Sequence, residues 1–372
     1  MVTIVGRGMY SSIGKSITEC WKSVLEGRIG VTQIKRFDLK RFDLHVAYEI
    51  QSTQNKTPYE WLIKAIEEAI KEARCQIDAD TVVIVGTGLR NLREFEKAIE
   101  SENTCISKTE IDFSLSLYKH YPQMKNFYSV SNACSSSLYA LALGFDILNL
   151  KQAKRVVVCG IDGITKTMHA LADRMSVRKT KVIEPFDTER NGTLLGEGAA
   201  AIVIENKENA ENKDIVIEHV ILSCDATHET QPNQERIEQT VREALKAGNL
   251  SATDIDLIIT HGTGTALNDS TEGKVLQTIF NDHEKNIVLE APKSMLGHTS
   301  GASGLMSVVL ATQVLLEEKA FPIPTLNSPI QEIRKFNLGV QPQKKKIKNA
   351  LVNAFGFGGV NAITVLRKIC NE

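Results

Sequence analysis

The protein has 372 residues, of which 42% are hydrophobic and 24% are charged, values typical of a globular chain with two or three core-sized units. Lys and Arg number 44 against 45 Asp and Glu, so the formal net charge is −1 and the chain has no overall field for binding nucleic acid. The seven cysteines, an odd number without CxxC pairs, argue against a disulfide framework and a zinc ribbon.

The N-terminal residues MVTIVGRGMY predict a strand followed by a glycine turn. They lack the charged start and the cleavage site of a signal peptide, and we therefore expect a cytoplasmic protein. The most apolar segment, 303–316, is interrupted by Ser307, Thr312 and Gln313, so we expect no insertion into a membrane.

The first half of the chain contains an amphipathic helix that begins with the capping box Thr57-Pro58-Tyr59-Glu60. This helix leads to an apolar strand at 81–85 and to the turn Gly86-Thr87-Gly88. A second strand at 128–131 and a long helix from about 134 to 150 follow. Alternating strands and helices of this kind indicate an α/β protein whose sheet is covered by helices.

The second half repeats this order of elements. A helix at about 233–247 leads to a strand at 255–260 and to the turn Gly262-Thr263-Gly264, and a strand at 286–289 and a helix at about 303–317 follow. The repetition predicts an α/β fold of duplicated βα halves, although a chance similarity of two common βα units is the alternative. The predicted halves are residues 1–210 and 211–372.

Cys134 lies in the sequence Ser-Asn-Ala-Cys-Ser-Ser-Ser, between an apolar strand and a long helix. The unpaired N–H groups and the positive end of the helix dipole at such a turn stabilise a thiolate, which predicts a nucleophile at neutral pH. The alternative is a small buried apolar residue. The other six cysteines lack such a setting and are predicted to have no chemical role: Cys20, Cys75, Cys105, Cys159, Cys224 and Cys370.

His261 and His298 each lie in a glycine-rich turn of the second half. His261 follows a strand, where α/β sheets present their functional groups, and His298 precedes a long helix. A neutral imidazole can donate a hydrogen bond or accept a proton, so the pair could serve an acyl-transfer centre. The alternative for each histidine is a solvated or helix-capping role. A metal site is not expected, because no third metal-binding residue lies at a suitable spacing.

A glycine-rich turn, Phe355-Gly356-Phe357-Gly358-Gly359, follows the apolar strand 350–354. Its N–H groups could hold an oxyanion, and a simple tight hairpin is the alternative. The chain has neither the GxGxxG spacing of a dinucleotide site nor a GxxxxGK phosphate loop, which disfavours nucleotide binding.

Five motifs occur in a characteristic order: NACSSS at 132–137, GEGA at 196–199, HGTGT at 261–265, Lys293 to Thr299, and Asn353 to Asn361. Together they resemble the β-ketoacyl-acyl-carrier-protein synthases, in particular the two-histidine branch of type II fatty-acid and polyketide ketosynthases. The resemblance covers nearly the whole chain. It implies the thiolase fold, with two similar halves packed as five αβαβα layers, and a homodimer with the strand before the cysteine at its interface.

The resemblance also implies roles for single residues. Cys134 matches the nucleophile that accepts the acyl group, and His261 and His298 match the pair that serves decarboxylation. Lys293 and Glu272 match a supporting charged pair, for which solvated surface charges would otherwise be the better interpretation.

Other matches concern the substrate. Thr263 and Thr265 match hydroxyls that hold the phosphopantetheine arm, which the partner acyl carrier protein brings, so that the enzyme needs no cofactor or metal of its own. The N–H groups of Cys134 and Phe357 match the oxyanion hole, and the Phe357 ring matches a gate beside the nucleophile. Basic clusters that could contact the carrier protein, or simply be solvated, are Lys35-Arg36, Lys40-Arg41 and Lys344-Lys345-Lys346.

The expected activity is that of an acyltransferase-class condensing enzyme, which joins a cysteine-bound acyl group to a malonyl-carrier-protein thioester by decarboxylative Claisen condensation. The Cys-Ser-Ser-Ser and His-Gly-Thr-Gly-Thr motifs resemble those of polyketide-type synthases. We therefore expect work in a specialised polyketide or fatty-acid-like pathway. Two alternatives are a non-elongating acyltransferase or thioester hydrolase on the same fold, and a non-catalytic subunit of a ketosynthase pair. A heterodimer with a related subunit is possible. The chain is short at 49–57, where the family carries a basic helical insertion.

Overall fold

The computed structural model describes residues 1–51, 57–102, 105–175, 180–209, 211–339 and 346–370. The helices are α1 (Ile17–Leu25), α2 (Pro58–Glu72), α3 (Leu92–Glu100), α4 (Lys108–Ile111), α5 (Phe113–His120), α6 (Ser136–Asn149), α7 (Lys166–Met175), α8 (Gln234–Ala247), α9 (Ala266–Phe280), α10 (Lys293–Leu296) and α11 (Ser303–Glu317). The strands are β1 (Val2–Ser11), β2 (Thr32–Gln33), β3 (Val46–Ala47), β4 (Thr81–Gly86), β5 (Asn126–Val130), β6 (Arg155–Asp162), β7 (Gly198–Asn206), β8 (Ile215–Cys224), β9 (Leu257–Ile259), β10 (Val288–Glu290), β11 (Asn337–Leu338), β12 (Asn349–Gly356) and β13 (Val360–Lys368).

The large sheet contains the same strand arrangement twice. The first half has the order β1-β7-β6-β4-β5 and the second half the order β8-β13-β12-β9-β10, followed by the short edge strand β11. In both halves the first three strands pair antiparallel and the last three parallel. β1 and β8 join the halves by pairing Thr3 with Val216 and Ile4 with Ile215. The predicted boundary at 210/211 falls between β7 and β8 and stays a prediction.

Helices and sheet halves alternate as five layers. The central layer consists of α6 and α11, whose side chains form one core with the inner faces of both sheet halves. The outer face of the first half is covered by α2 and α5, and the outer face of the second half by α8 and α9. Each half is therefore covered on both faces, as its continuous apolar strands require. This is the predicted αβαβα arrangement.

The central helices differ from the outer ones in how much of their surface is apolar. α2 begins at the predicted capping box and buries one face, with Leu62, Ile66 and Ala69 fully buried. α11, by contrast, is apolar on nearly all sides. In the described part of the chain, residues 300–317 have the length and composition of a membrane span, but 78% of this segment is buried inside the protein. Such burial is what a core helix between two sheets shows.

Glu197 of the GEGA motif is buried directly before β7 and accepts hydrogen bonds from the Arg36 guanidinium and from the N–H of Ile50. The Arg36 side chain also lies 3.3 Å from a Glu49 carboxylate oxygen and stacks over the Trp61 ring. The predicted Lys35-Arg36 docking cluster is therefore wrong for Arg36, because its charge is used inside the fold.

Removal of a central side chain should destabilise both halves at once. We expect Leu305→Ala to lower the free energy of unfolding by about 2–5 kcal/mol, because Leu305 is fully buried in the central layer. The matched control is Leu150→Ala at the exposed end of α6, with an expected change within about 0.5 kcal/mol. Urea denaturation followed by fluorescence measures both, and equal midpoints for the two variants would contradict the layer assignment.

Candidate active site

Cys134 lies in a sharp turn between β5 and α6, at the carboxyl end of the parallel strands. Ala133 adopts a left-handed φ of 48°, which is costly for a residue with a Cβ and persists only where surrounding contacts hold it. The Ser135 hydroxyl donates to the carbonyls of Ala354 and Val360 and so ties the turn to the β12–β13 hairpin. The N–H groups of Cys134 and Phe357 both face the cysteine sulfur.

The surroundings of Cys134 favour the thiol over the thiolate at neutral pH, and its role as nucleophile stays a prediction. Desolvation raises the pKa of the Cys134 thiol to about 11, and the nearby Lys293 charge only partly offsets this effect. The sulfur lies 3.1 Å from Nε2 of His298, which is therefore close enough to accept the thiol proton. A base is thus in place beside the sulfur, in addition to the helix N-terminus.

His261 is held by its backbone between two buried charged residues. Its N–H donates to Glu272 at 2.8 Å, and its carbonyl accepts a hydrogen bond from Lys293. Lys293 Nζ also lies 3.4 Å from His261 Nδ1, so an ammonium there makes Nδ1 the acceptor and leaves the ring proton on Nε2. Asn353 donates to the same Glu272 carboxylate.

The predicted charged pair of Lys293 and Glu272 is not a direct contact. Their charges nevertheless interact, because Glu272 raises the pKa of Lys293 against the effect of burial. They instead bond to the two backbone groups of His261, Glu272 to its N–H and Lys293 to its carbonyl, because both side chains reach the same strand end. Burial raises the pKa of Glu272 and lowers the pKa of Lys293 to about 8.

The two imidazole rings lie close together, with centroids 5.5 Å apart and planes nearly perpendicular. Burial, and next the Lys293 charge, lower the pKa of His298 to about 3 and that of His261 well below its usual range. Both rings are neutral at pH 7, so each can offer one N–H to a substrate without a charge of its own.

The HGTGT segment forms a loop around the buried carboxylate of Asp269. This carboxylate accepts hydrogen bonds from the N–H groups of Phe186, Thr263 and Gly264. The hydroxyls of Thr263 and Thr265 lie 2.9 Å apart, with Thr263 buried and Thr265 partly exposed. Gly264 has a φ of 75°, which explains the requirement for glycine there.

The second glycine-rich segment forms the turn between β12 and β13. The Phe357 ring is 47% exposed, and the glycines that follow it have positive φ angles. Asp225 accepts a hydrogen bond from Asn361 and donates its own N–H to the Gly359 carbonyl, which fixes the turn from outside. The predicted oxyanion-hole N–H groups meet at the sulfur, whereas the ring of the predicted gate, Phe357, is about half exposed.

Sequence reasoning assigned no role to three buried or partly buried acids near these turns: Asp162, Asp225 and Asp269. The signal for Asp162 is an acidic residue at the carboxyl end of an otherwise apolar strand. Asp225 lies in a polar loop and has no sequence signal for its contact with the turn after β12, because Asn361 is 136 positions away. No group of three residues suited to hold a metal ion occurs in the described ranges.

The raised thiol pKa leads to a prediction on reactivity. We expect the rate of Cys134 alkylation by iodoacetamide to keep rising beyond about pH 9, because the thiol titrates near pH 11. N-acetylcysteine, the control, should level off as the pH passes its pKa of about 8.5. Peptide mass spectrometry gives the rate at this site. A rate that no longer rises above about pH 9 would contradict a thiol that titrates near pH 11.

The sequence matches two family models: the description "Beta-ketoacyl synthase, N-terminal domain" covers residues 59–210, and "Beta-ketoacyl synthase, C-terminal domain" covers residues 215–328. A 3-oxoacyl-(acyl-carrier-protein) synthase 2 of Coxiella burnetii is 25% identical, with 99% of this chain and 98% of that protein covered. Nodulation protein E of Rhizobium meliloti is 26% identical, with 99% of each chain covered.

Solved structures show the same fold. The ishigamide ketosynthase/chain length factor has a TM-score of 0.88 at 24% identity, with 99% of each chain covered. A type II PKS ketosynthase, solved in complex with its acyl-carrier protein, has a TM-score of 0.87 at 20% identity and the same coverage. The five layers are thus those of the thiolase fold. Because the two family models span well over half of the sequence, the chain belongs to the beta-ketoacyl synthase family, whose members are acyltransferase-class condensing enzymes.

Proposed function

We propose that this protein is a ketosynthase that holds an acyl group on Cys134 and joins it to a malonyl thioester with loss of CO2. The observation that carries this proposal is the convergence of one thiol and two neutral imidazoles, with Cys134 Sγ 3.1 Å from His298 Nε2 and His261 beside it. A simple acyl transfer needs one base, whereas the second histidine, with its Lys293 partner, has a use in decarboxylation.

In the first half-reaction, His298 accepts the thiol proton as Cys134 Sγ attacks the acyl thioester. The S–C bond to the enzyme forms, the pantetheine thiolate leaves, and it takes up the proton held by His298. Negative charge develops on the carbonyl oxygen between these steps. The N–H groups of Cys134 and Phe357 face the sulfur and are placed to stabilise that charge.

In the second half-reaction, the C–C bond to the malonyl carboxylate breaks and its electron pair moves toward the thioester oxygen as CO2 leaves. The Nε2–H of His261 would donate to this enolate oxygen, and so would that of His298 once its ring proton has moved from Nδ1 to Nε2, since the acylated sulfur no longer has a proton for Nε2 to accept. Lys293 supports this by holding the His261 ring in the required tautomer. The enolate carbon then attacks the acyl carbonyl, and the Cys134 thiolate leaves.

The proposed partner is an acyl carrier protein, which brings both substrates on a phosphopantetheine arm that Thr263 and Thr265 would contact. This partner is supported by the related ketosynthase that was solved with its acyl-carrier protein. Lys35, Lys40, Arg41 and Lys346 are exposed and could contact an acidic carrier protein. Lys344 and Lys345 lie outside the described residues, as does most of the short segment 49–57.

We also propose a cytoplasmic dimer, with β5 at the interface. β5 is an edge strand of the large sheet, and its Tyr128 side chain is 47% exposed, as expected for a strand that pairs in an assembly. Both a homodimer and a pair with a related subunit fit this edge. We further propose that the enzyme acts in a specialised polyketide or fatty-acid-like pathway.

The two half-reactions can be separated by substitution. We expect Cys134→Ala to abolish acyl loading yet to release CO2 from malonyl carrier protein, because both histidines remain. His261→Ala should retain loading and lose CO2 release by a factor of about 100 or more, as for the loss of one oxyanion donor. Intact-mass spectrometry measures loading, and trapped labelled CO2 measures decarboxylation. Acyl transfer to water or an amine by the wild type, without CO2, would favour the non-elongating acyltransferase.

The Lys293 pKa of about 8 predicts the pH dependence of decarboxylation. Below pH 8 the ammonium donates to His261 Nδ1, and above it the neutral amine no longer fixes the tautomer. We therefore expect CO2 release to fall as the pH rises through about 8. The Cys134→Ala variant is used for this measurement, because it has no thiol whose titration could affect the profile. The matched control, Cys134→Ala with Lys293→Met, should be slow at every pH. An equal fall in that control would assign the pH dependence to another group.

A further inference from the structure

Asp162, the last residue of β6, joins loops from both halves of the fold. Its carboxylate accepts hydrogen bonds from the Thr87 hydroxyl at 2.7 Å and the Gly88 N–H at 2.8 Å, both from the turn after β4. It also accepts from Leu89 in the same turn, and from the Gly301 N–H at 2.6 Å in the segment that follows His298. One buried side chain thus holds a turn of the first half against a turn of the second.

The bonds to Asp162 come from backbone N–H groups and one hydroxyl, and not from a cation. The carboxylate is 1% exposed, and burial raises its pKa to about 6, so it is ionised at neutral pH. A buried charge is costly unless its hydrogen bonds are satisfied. The two turns therefore cannot separate without leaving this charge unpaired.

The two turns that Asp162 joins pack against each other and against Ala133, the residue before Cys134. A Cβ on Gly88 would approach the Ser300 hydroxyl within 2.5 Å and the Ala133 carbonyl within 3.2 Å, and a Cβ on Gly301 would approach the Gly88 nitrogen within 2.3 Å. Ala133 precedes the nucleophile and Ser300 follows His298 by two residues. Both have left-handed φ angles, 48° and 46°, which require support from their surroundings.

We propose that Asp162 is a positioning residue that sets the separation of Cys134 Sγ and His298 Nε2 by holding the turn at 87–89 against the turn at 300–301. This inference rests on the proposed roles of Cys134 and His298 in the ketosynthase reaction. Loss of the carboxylate releases the His298 turn from the turn at 87–89, which packs against Ala133 of the nucleophile turn, and a misplacement of about 1 Å in an active site can lower a rate by a factor of about 100.

The test is a double-mutant cycle on the alkylation of Cys134 by iodoacetamide near neutral pH. Asp162→Asn should slow alkylation by a factor of about 10–100, because His298 no longer meets the thiol. The double variant Asp162→Asn/His298→Ala should be no slower than His298→Ala alone, because Asp162 acts through His298. If the two substitutions slow alkylation by independent factors that multiply in the double variant, the proposal is overturned.

A purely electrostatic role predicts the opposite sign. The Asp162 charge raises the pKa of the Cys134 thiol, so neutralising it without moving His298 would speed alkylation. Faster alkylation, or no change, therefore also overturns the proposal. Condensation by Asp162→Asn should show a reduced kcat with an unchanged KM for the malonyl thioester. Alkylation needs neither substrate nor carrier protein, so a failure of this inference is distinguishable from a failure of the ketosynthase function.

Two further variants control for folding. Asp256→Asn removes a carboxylate that likewise accepts two backbone N–H groups, from Lys348 and Asn349, at the other end of β12, and it should leave the alkylation rate unchanged. If Asp162→Asn does not fold, Thr87→Val and Thr87→Ser replace it, because Ser keeps the hydroxyl that donates to Asp162 and Val does not. Alkylation should be slow in Thr87→Val and near the wild-type rate in Thr87→Ser, and equal rates would overturn the proposal.

Discussion

The close contact of α6 with α11 in the central layer is the constraint on which the site depends. Gly304 of α11 has no room for a Cβ, which would meet Leu138 of α6 within 2.7 Å, and the Leu305 N–H donates to the Ser137 hydroxyl. Each helix begins directly after a reactive turn, one with Cys134 and the other with His298. Because the helix N-termini meet, the thiol and the imidazole meet although 164 positions separate them.

The site is built largely from buried charges that backbone N–H groups satisfy. Asp162, Asp269 and Glu272 each accept at least two such N–H groups from the turns that carry functional residues. A carboxylate in this role stabilises one loop conformation, since any other would leave a buried charge unpaired. These carboxylates favour single conformations of the loops at 87–89, 261–264 and 301, although the loops contain several glycines.

The electrostatics of the site favour neutral imidazoles and a charged lysine over a pre-formed thiolate. Burial lowers the pKa of both histidines and of Lys293, but Lys293 starts from a higher value and remains charged at neutral pH. The same desolvation raises the pKa of the Cys134 thiol. His298 is therefore the group placed to take the thiol proton, and the sulfur is protonated at neutral pH.

The amino-acid sequence determined the order of elements, the duplication and the candidate site residues. These features depend on local patterns, such as the capping box at Thr57 and the apolar run of α11, and on motifs of a few residues around Cys134, His261 and His298. Only the tertiary structure decided which groups touch. It linked Lys293 and Glu272 through the His261 backbone, used Arg36 inside the fold and brought Asp162 to the turns at 87–89 and 300–301. The physical reason is that pKa values and hydrogen bonds depend on burial and on contacts between distant segments, whereas local sequence patterns specify single elements.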